Sequence, residues 1–248
     1  MGGLASAATV GASIAIGYLL APKVVRYVKK RTTSVEVVYF NIPGLGEPIR
    51  LLLSYCGIPF KDTRFQERAE FIARKPHLKF GQVPCCIVNG VELFQSYTIL
   101  RFIATSFDES GTLYPSSPLL AAECDALMDQ VKDMMQGWGP LRYRERFGFP
   151  VELFPDEMAA KCQKNYLTEV MPRHLGFFEK QLASSDSPWL LGGSSPSIAD
   201  FALACQLKGF IGKDFDGVTV AVPLALVKHN ESFYALPAVA AFKETEGK

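Results

Sequence analysis

Six cysteines, one tyrosine closing an apolar run and three evenly spaced aspartates are the side chains of this 248-residue sequence whose types and spacing could do chemistry. Cys56, Cys85, Cys86, Cys124, Cys162 and Cys205 contain no CxxC pair and no histidine at ligand spacing. That argues against a zinc centre or a dithiol redox centre, and no metal is expected. Cys85 and Cys86 would face opposite sides of a strand, and buried thiols in a reducing compartment are the plain expectation. Tyr39 ends a β-branched and aromatic run just before Asn41, Pro43, Gly44 and Gly46. A phenol is both donor and acceptor, although a buried tyrosine is more often a satisfied core residue. Asp125, Asp129 and Asp133 recur at i, i+4 and i+8, a stripe that is ordinarily a solvated helix face.

The elements that must position these groups follow from periodicity and punctuation. Val35 to Phe40 reads as a buried strand, Ile49 to Cys56 as an apolar helix stopped by Gly57, and Phe60 to Phe65 as a second strand. A short basic helix or loop runs through Lys75. Val83 to Val88 and Val91 to Phe94 flank Asn89-Gly90, a strong hairpin signal. Ser96 is placed to cap a helix from Tyr97 to Ser106. Strand, helix, strand, hairpin, helix is the order of a small α/β sheet of thioredoxin type with a right-handed crossover. After a linker at 111–118 the chain reads as helices, and Ser197-Ile198-Ala199-Asp200 has the form of a capping box. The expected division is 1–33, 34–110, the linker 111–118 and an all-helical 119–248.

Apolar residues make up 48% and charged ones 21%, the composition of a globular protein. Net charge is +1, but all the basic residues of the N-terminal stretch precede Glu36, so the remainder is mildly acidic. Nucleic-acid binding, which needs clustered Lys and Arg on one face, is excluded as a class. Leu4 to Ala21 carries no charge and is followed by Lys23, Arg26, Lys29, Lys30 and Arg31. This pattern predicts a membrane-anchor helix through residues 4–21 with the body on the cytosolic side, at the endoplasmic reticulum or outer mitochondrial membrane. Two rival readings are an organellar transit peptide, removed on import, and N-myristoylation at Met1-Gly2-Gly3-Leu4-Ala5-Ser6.

Tyr39-Phe40-Asn41, Gly81-Gln82-Val83-Pro84 and Gln95-Ser96 stand in the order and spacing of the glutathione transferases. The chain resembles that family from about Ser34 onward, most of all the sigma class that includes the glutathione-dependent prostaglandin D synthases. The resemblance implies a thioredoxin-like α/β domain followed by an all-α domain, to which the anchor helix would be added. It implies glutathione as co-substrate, with the backbone beside a cis Val83-Pro84 bond pairing with the cysteinyl part like a neighbouring strand. Gln95 and Ser96 would hold the γ-glutamyl carboxylate at a helix start, and Lys75 the glycyl carboxylate, with Phe71 and Gln82 alongside. Tyr39 matches the catalytic tyrosine whose hydroxyl stabilises the glutathione thiolate.

Further implications concern the helical half. Asp133 matches an aspartate that reaches across a homodimer to the glutathione amino group. Met134, Met135, Trp138 and Tyr143 stand where the family lines the pocket for an apolar electrophile, and Leu45 faces the same mouth. The sequence departs from the pattern at Leu45, where sigma-type members carry an arginine, and at Phe71, where the family has a tryptophan. The function so implied is conjugation or isomerisation of apolar electrophiles, a detoxification chemistry. The alternatives are a catalytically weak, membrane-tethered binding or scaffold protein of the same fold, and a glutathione-dependent peroxidase.

Overall fold

Strand β1 (Val35–Phe40) is the centre about which the first half is laid down in the computed structural model, which describes residues 32–246. It pairs in parallel with β2 (Lys61–Phe65) and antiparallel with β3 (Cys85–Val88), which in turn pairs antiparallel with β4 (Val91–Phe94). The order is β2-β1-β3-β4. Helix α1 (Glu47–Tyr55) makes the crossover between the parallel strands, α2 (Arg68–Arg74) follows β2, and α3 (Ser96–Phe107) follows β4. The β-branched β1, buried at Val37 and Val38, suits a strand covered on both faces. Asn89 and Gly90 both adopt positive φ, as a two-residue hairpin of this twist requires.

Adjacent Cys85 and Cys86 do point to opposite faces. Cys86 joins the main core with Ile49, Leu52, Leu100 and Ile103, whereas Cys85 joins a smaller cluster with Phe65, Leu78 and Phe94, flanked by Phe40 and Phe71. Burial pushes the two thiols up, to about 11 and about 12, so both are held protonated. No two cysteines among the described residues are joined in a disulfide.

The second half is helical: α4 (Pro118–Gln136), α5 (Trp138–Arg142), α6 (Asp156–Asn165), a π-turn at Tyr166–Val170, α7 (Met171–Ala183), α8 (Ile198–Leu207), α9 (Leu224–Tyr234) and α10 (Pro237–Glu246). A two-stranded hairpin, Asp214–Phe215 with Val218–Thr219, interrupts them. The capping box at α8 is formed: the Asp200 carboxylate accepts from the Ser197 N–H at 2.7 Å and its hydroxyl at 2.8 Å, and also from the Leu190 N–H at 2.9 Å. α8 is buried on nearly every side, and Phe201 reaches Tyr55 of α1 at 5.5 Å, tying the halves together.

Three expectations need correction. The architecture of the described residues is a thioredoxin-like domain followed by a helical domain, and no anchor helix is found among them. No helix among the described residues is long and apolar enough to cross a membrane, and the span 4–21 lies outside the described residues. Ser96 is the first residue of α3 rather than its cap; Gln95 holds the cap position and makes no side-chain cap bond. The acidic stripe is not uniformly solvated, because Asp125 binds Arg101 Nε at 2.6 Å and the Tyr114 hydroxyl at 3.0 Å, pinning α3 to α4.

Candidate active site

Register alone brings the three sequence motifs together. Val38 stands opposite Cys85, and Cys85 opposite Phe94. One step further along the same antiparallel registers sets Tyr39, Pro84 and Gln95 level at one end of three adjacent strands. The Val83-Pro84 bond is cis, as the resemblance implies. Lys75, in the 3₁₀ turn Lys75–His77 after α2, is exposed, and its side chain runs past Gly81, next to exposed Gln82. Phe71 is less available: its ring packs on Phe40 at 5.1 Å and Phe65 at 5.8 Å as part of the smaller core cluster.

Tyr39 is only 7% exposed. Its hydroxyl oxygen accepts a hydrogen bond from the Leu45 backbone N–H at 3.1 Å, which leaves the phenolic proton free to be donated elsewhere. Burial raises its pKa, against the opposing pull of the Leu45 N–H and of Arg50 and Arg146, while Tyr143 acts in the raising direction. The phenol therefore stays protonated and serves as a donor rather than a base. The turn that carries Leu45 is shaped around this ring. A Cβ on Gly44 would lie 2.6 Å from the Tyr39 hydroxyl oxygen, one on Gly46 would lie 2.6 Å from Tyr39 Cδ1, and Gly44 has φ +44°.

Gln95 closes the site on the far side. Its φ of 68° and ψ of 114° are sparsely populated for a residue with a side chain, so the chain is held there by its surroundings. α3 begins immediately after without a side-chain cap, and its first-turn N–H groups and positive helix end are open to an anion.

The remaining residues expected at the site are spread more widely. Leu45 is 42% exposed and Tyr143 61% exposed, both at the surface. Met134 is fully buried in the core, while half-buried Met135 packs against it. Trp138 is engaged with Tyr166, Phe210 and Phe215, its ring 5.2 Å from the last of these. Asp133 is exposed on α4, accepts from Gln136 Nε2 at 3.2 Å, and acts electrostatically on His174 of α7. A cavity of about 490 Å³ does exist in the helical half, lined by Leu141, Phe149, Phe154, Tyr166 and Val170 among others, but it includes none of the expected pocket residues. No group of three or more His, Cys, Asp or Glu among the described residues could hold a metal ion.

One residue central to the site escapes a sequence reading. Arg50 sits in the apolar stretch of α1 with its side chain fully buried, donating to Asp62 at 3.0 Å and to the carbonyls of Ile42 at 3.0 Å and Phe40 at 3.2 Å. Its guanidinium carbon lies 5.8 Å from the centre of the Tyr39 ring. A lone arginine among Ile49, Leu51, Leu52 and Leu53 is the only signal the sequence offers, since its partners come from elsewhere in the chain.

A thioredoxin-like sheet with a tyrosine, a cis-proline and an open helix start at one end, followed by an all-helical domain, defines a two-domain protein of the thioredoxin-fold, thiol-handling class. The chain belongs to the glutathione S-transferase family, whose co-substrate is glutathione and whose members are typically dimers. The family models "Glutathione S-transferase, N-terminal domain" and "Glutathione S-transferase, C-terminal domain" match residues 35–105 and 149–246. Glutathione S-transferase 1 of Ascaris suum is 34% identical over 159 residues, covering 64% of this chain and 72% of that protein. Hematopoietic prostaglandin D synthase of Gallus gallus is 32% identical over 166 residues, covering 67% and 74%. A nematode-specific glutathione transferase structure from Caenorhabditis elegans superposes with a TM-score of 0.70 at 29% identity, covering 86% of this chain and 97% of that one. The sigma-like resemblance thus extends from motifs to whole domains.

Proposed function

We propose that this chain binds glutathione along the end of its sheet and ionises the thiol by hydrogen bonding from Tyr39. The thiolate then attacks an apolar electrophile or assists its isomerisation. In conjugation the sulfur forms a bond to the electrophilic carbon, the leaving group or the electron pair of the acceptor bond takes the displaced electrons, and the thiol proton has already gone to solvent. The backbone at Val83 pairs with the cysteinyl segment, the start of α3 with Gln95 and Ser96 receives the γ-glutamyl carboxylate, and Lys75 with Gln82 receives the glycyl end. Asp133 is assigned to the glutathione of the partner subunit in a homodimer. Leu45, Met135 and Tyr143 are assigned to the mouth of the electrophile site.

The observation that carries this reading is the single hydrogen bond from the Leu45 N–H to the Tyr39 hydroxyl at 3.1 Å. It fixes the oxygen and leaves its proton free to be donated to an incoming sulfur. It also bears on the departure at Leu45: the group that holds Tyr39 here is a backbone N–H, which a change of side chain does not remove. Tyr39→Phe deletes the donor while keeping the ring in its glycine-lined slot. Conjugation of a generic aromatic electrophile should fall about 10- to 100-fold in kcat, with retention on immobilised glutathione unchanged. Equal rates in both forms would remove Tyr39 from the mechanism.

A further inference from the structure

We infer that the C-terminal helix α10 positions Tyr39 through a relay of charged side chains, so that Glu246, although it touches no substrate, governs thiolate formation. This rests on the role given to Tyr39 above. The relay begins at Glu246, which accepts from Arg64 Nη2 and from Lys243 Nζ. Arg64 Nε donates to Asp62 Oδ2 at 2.6 Å, and the other oxygen of Asp62 accepts from Arg50 Nε at 3.0 Å. Arg50 ends the chain of contacts on the carbonyls of Phe40 and Ile42, at the start of the turn whose Leu45 N–H holds the Tyr39 hydroxyl.

A second arm reaches the other end of the same turn. Lys243 Nζ donates to Glu47 Oε1 at 2.7 Å, and the backbone N–H of Glu47 donates to the Pro43 carbonyl at 3.0 Å. Arg64 also touches the turn directly, donating from Nη1 to Asn41 Oδ1 at 3.3 Å. The segment from Phe40 to Gly46 is therefore gripped at both ends by side chains that α10, nearly two hundred residues further along the chain, holds in place. The two oxygens of Asp62 are divided between two guanidinium groups, which restricts how each arginine can turn, and Glu246 balances the second positive charge. Without Glu246, Arg64 is released to compete with Arg50 for Asp62 or to pull on Asn41. Either movement shifts the carbonyls under Arg50 and lets the Leu45 N–H drift from the phenol oxygen.

Glu246→Gln is close to isosteric at a partly exposed position and keeps the fold. The thiolate absorbance of bound glutathione, followed against pH in wild type, Glu246→Gln, Glu246→Asp and Tyr39→Phe, tests the relay. The expected result is a roughly threefold smaller thiolate fraction at pH 6.5 in Glu246→Gln, with kcat falling in step. Its KM for glutathione should stay within about twofold, and Glu246→Asp should recover most of the loss. If Tyr39→Phe lowers the thiolate fraction while Glu246→Gln leaves it unchanged, α10 is merely structural and the inference fails, even if the melting temperature drops. If Tyr39→Phe itself changes nothing, the reading of Tyr39 fails first and the relay has nothing to position.

Discussion

For the role proposed here, Tyr39 is prepared by what surrounds it rather than by its own acidity. Burial alone would make its hydroxyl a poor acid, and a protonated phenol beside a sulfur is useful because it donates. The space for that phenol exists because residues 44 and 46 have no side chains. Gly44→Ala should thus act as a displacement of the hydroxyl: its Cβ would start 2.6 Å from the phenol oxygen, at a positive φ that already disfavours alanine. We expect kcat to fall at least about tenfold with glutathione binding little changed, since the strand end, the cis-proline and the helix start are untouched. Steady-state kinetics beside a glutathione-binding measurement checks this, and an unchanged kcat would show that the turn yields freely. At this scale the sequence was legible where local pattern fixes a residue's place, as for Tyr39 near the end of β1 and Lys75 in the turn after α2. It was not legible at Arg50, whose buried charge makes sense only once Asp62 and two backbone carbonyls arrive from other elements. Met134 shows the converse, because a methionine at a pocket-like spacing is here plain core.

Among the elements, those announced by local chemistry were legible: the Asn89-Gly90 hairpin and the α8 capping box form from residues close in sequence, and the βαβ order follows from three successive elements. The small hairpin at Asp214–Thr219 and the π-turn after α6 were not, because each strand is two residues long and the π-turn interrupts an otherwise continuous helical pattern. Gln95 illustrates an element boundary set against local preference. Gln95→Gly would relieve its positive φ, gaining about 1 kcal/mol net of the extra entropy of glycine, or about 2–4 °C in melting temperature, while weakening glutathione binding. Stability and affinity moving in the same direction would contradict this.

The cap of α8 makes a second prediction at the level of the element. Asp200 and His229 are both fully buried with Nε2 3.6 Å from Oδ1, and burial raises the carboxyl to about 6 and lowers the imidazole to about 4. Between about pH 4 and 6 the folded pair holds its proton on Asp200, and the unfolded pair holds one on His229. The proton counts match, so this pair adds almost no slope to stability against pH. Asp200→Asn leaves only the imidazole. Its folded pKa lies below its unfolded one, so the variant should lose about 3 kcal/mol relative to its own value at pH 7 as pH falls from 6.5 towards 4. His229→Leu should show the opposite slope, gaining stability as pH falls through 6. Urea melts across this range, read as differences from wild type, decide it.

At the scale of the molecule, one core spans both halves. Ile49, Leu52 and Leu53 of α1, Leu100 and Ile103 of α3, Val131 of α4 and Phe201 and Leu203 of α8 belong to a single cluster. The sheet's smaller cluster, on its other face, is too modest to hold the α/β half folded by itself. The two halves should therefore unfold as one unit, and Phe201 is where to test it. Its ring lies 4.8 Å from Phe233 within the helical half and 5.5 Å from Tyr55 across the junction. Phe201→Ala should cost about 3–5 kcal/mol, because a fully enclosed aromatic leaves a cavity that neither half can fill alone. Trp138 and Trp189 report on the helical half by fluorescence, while loss of glutathione binding reports on the sheet end. Both should move to the same lower urea midpoint in the variant. Separate midpoints would mean that the glutathione end stands on its own core, and that the grip of α10 on the Tyr39 turn is a contact between independent parts.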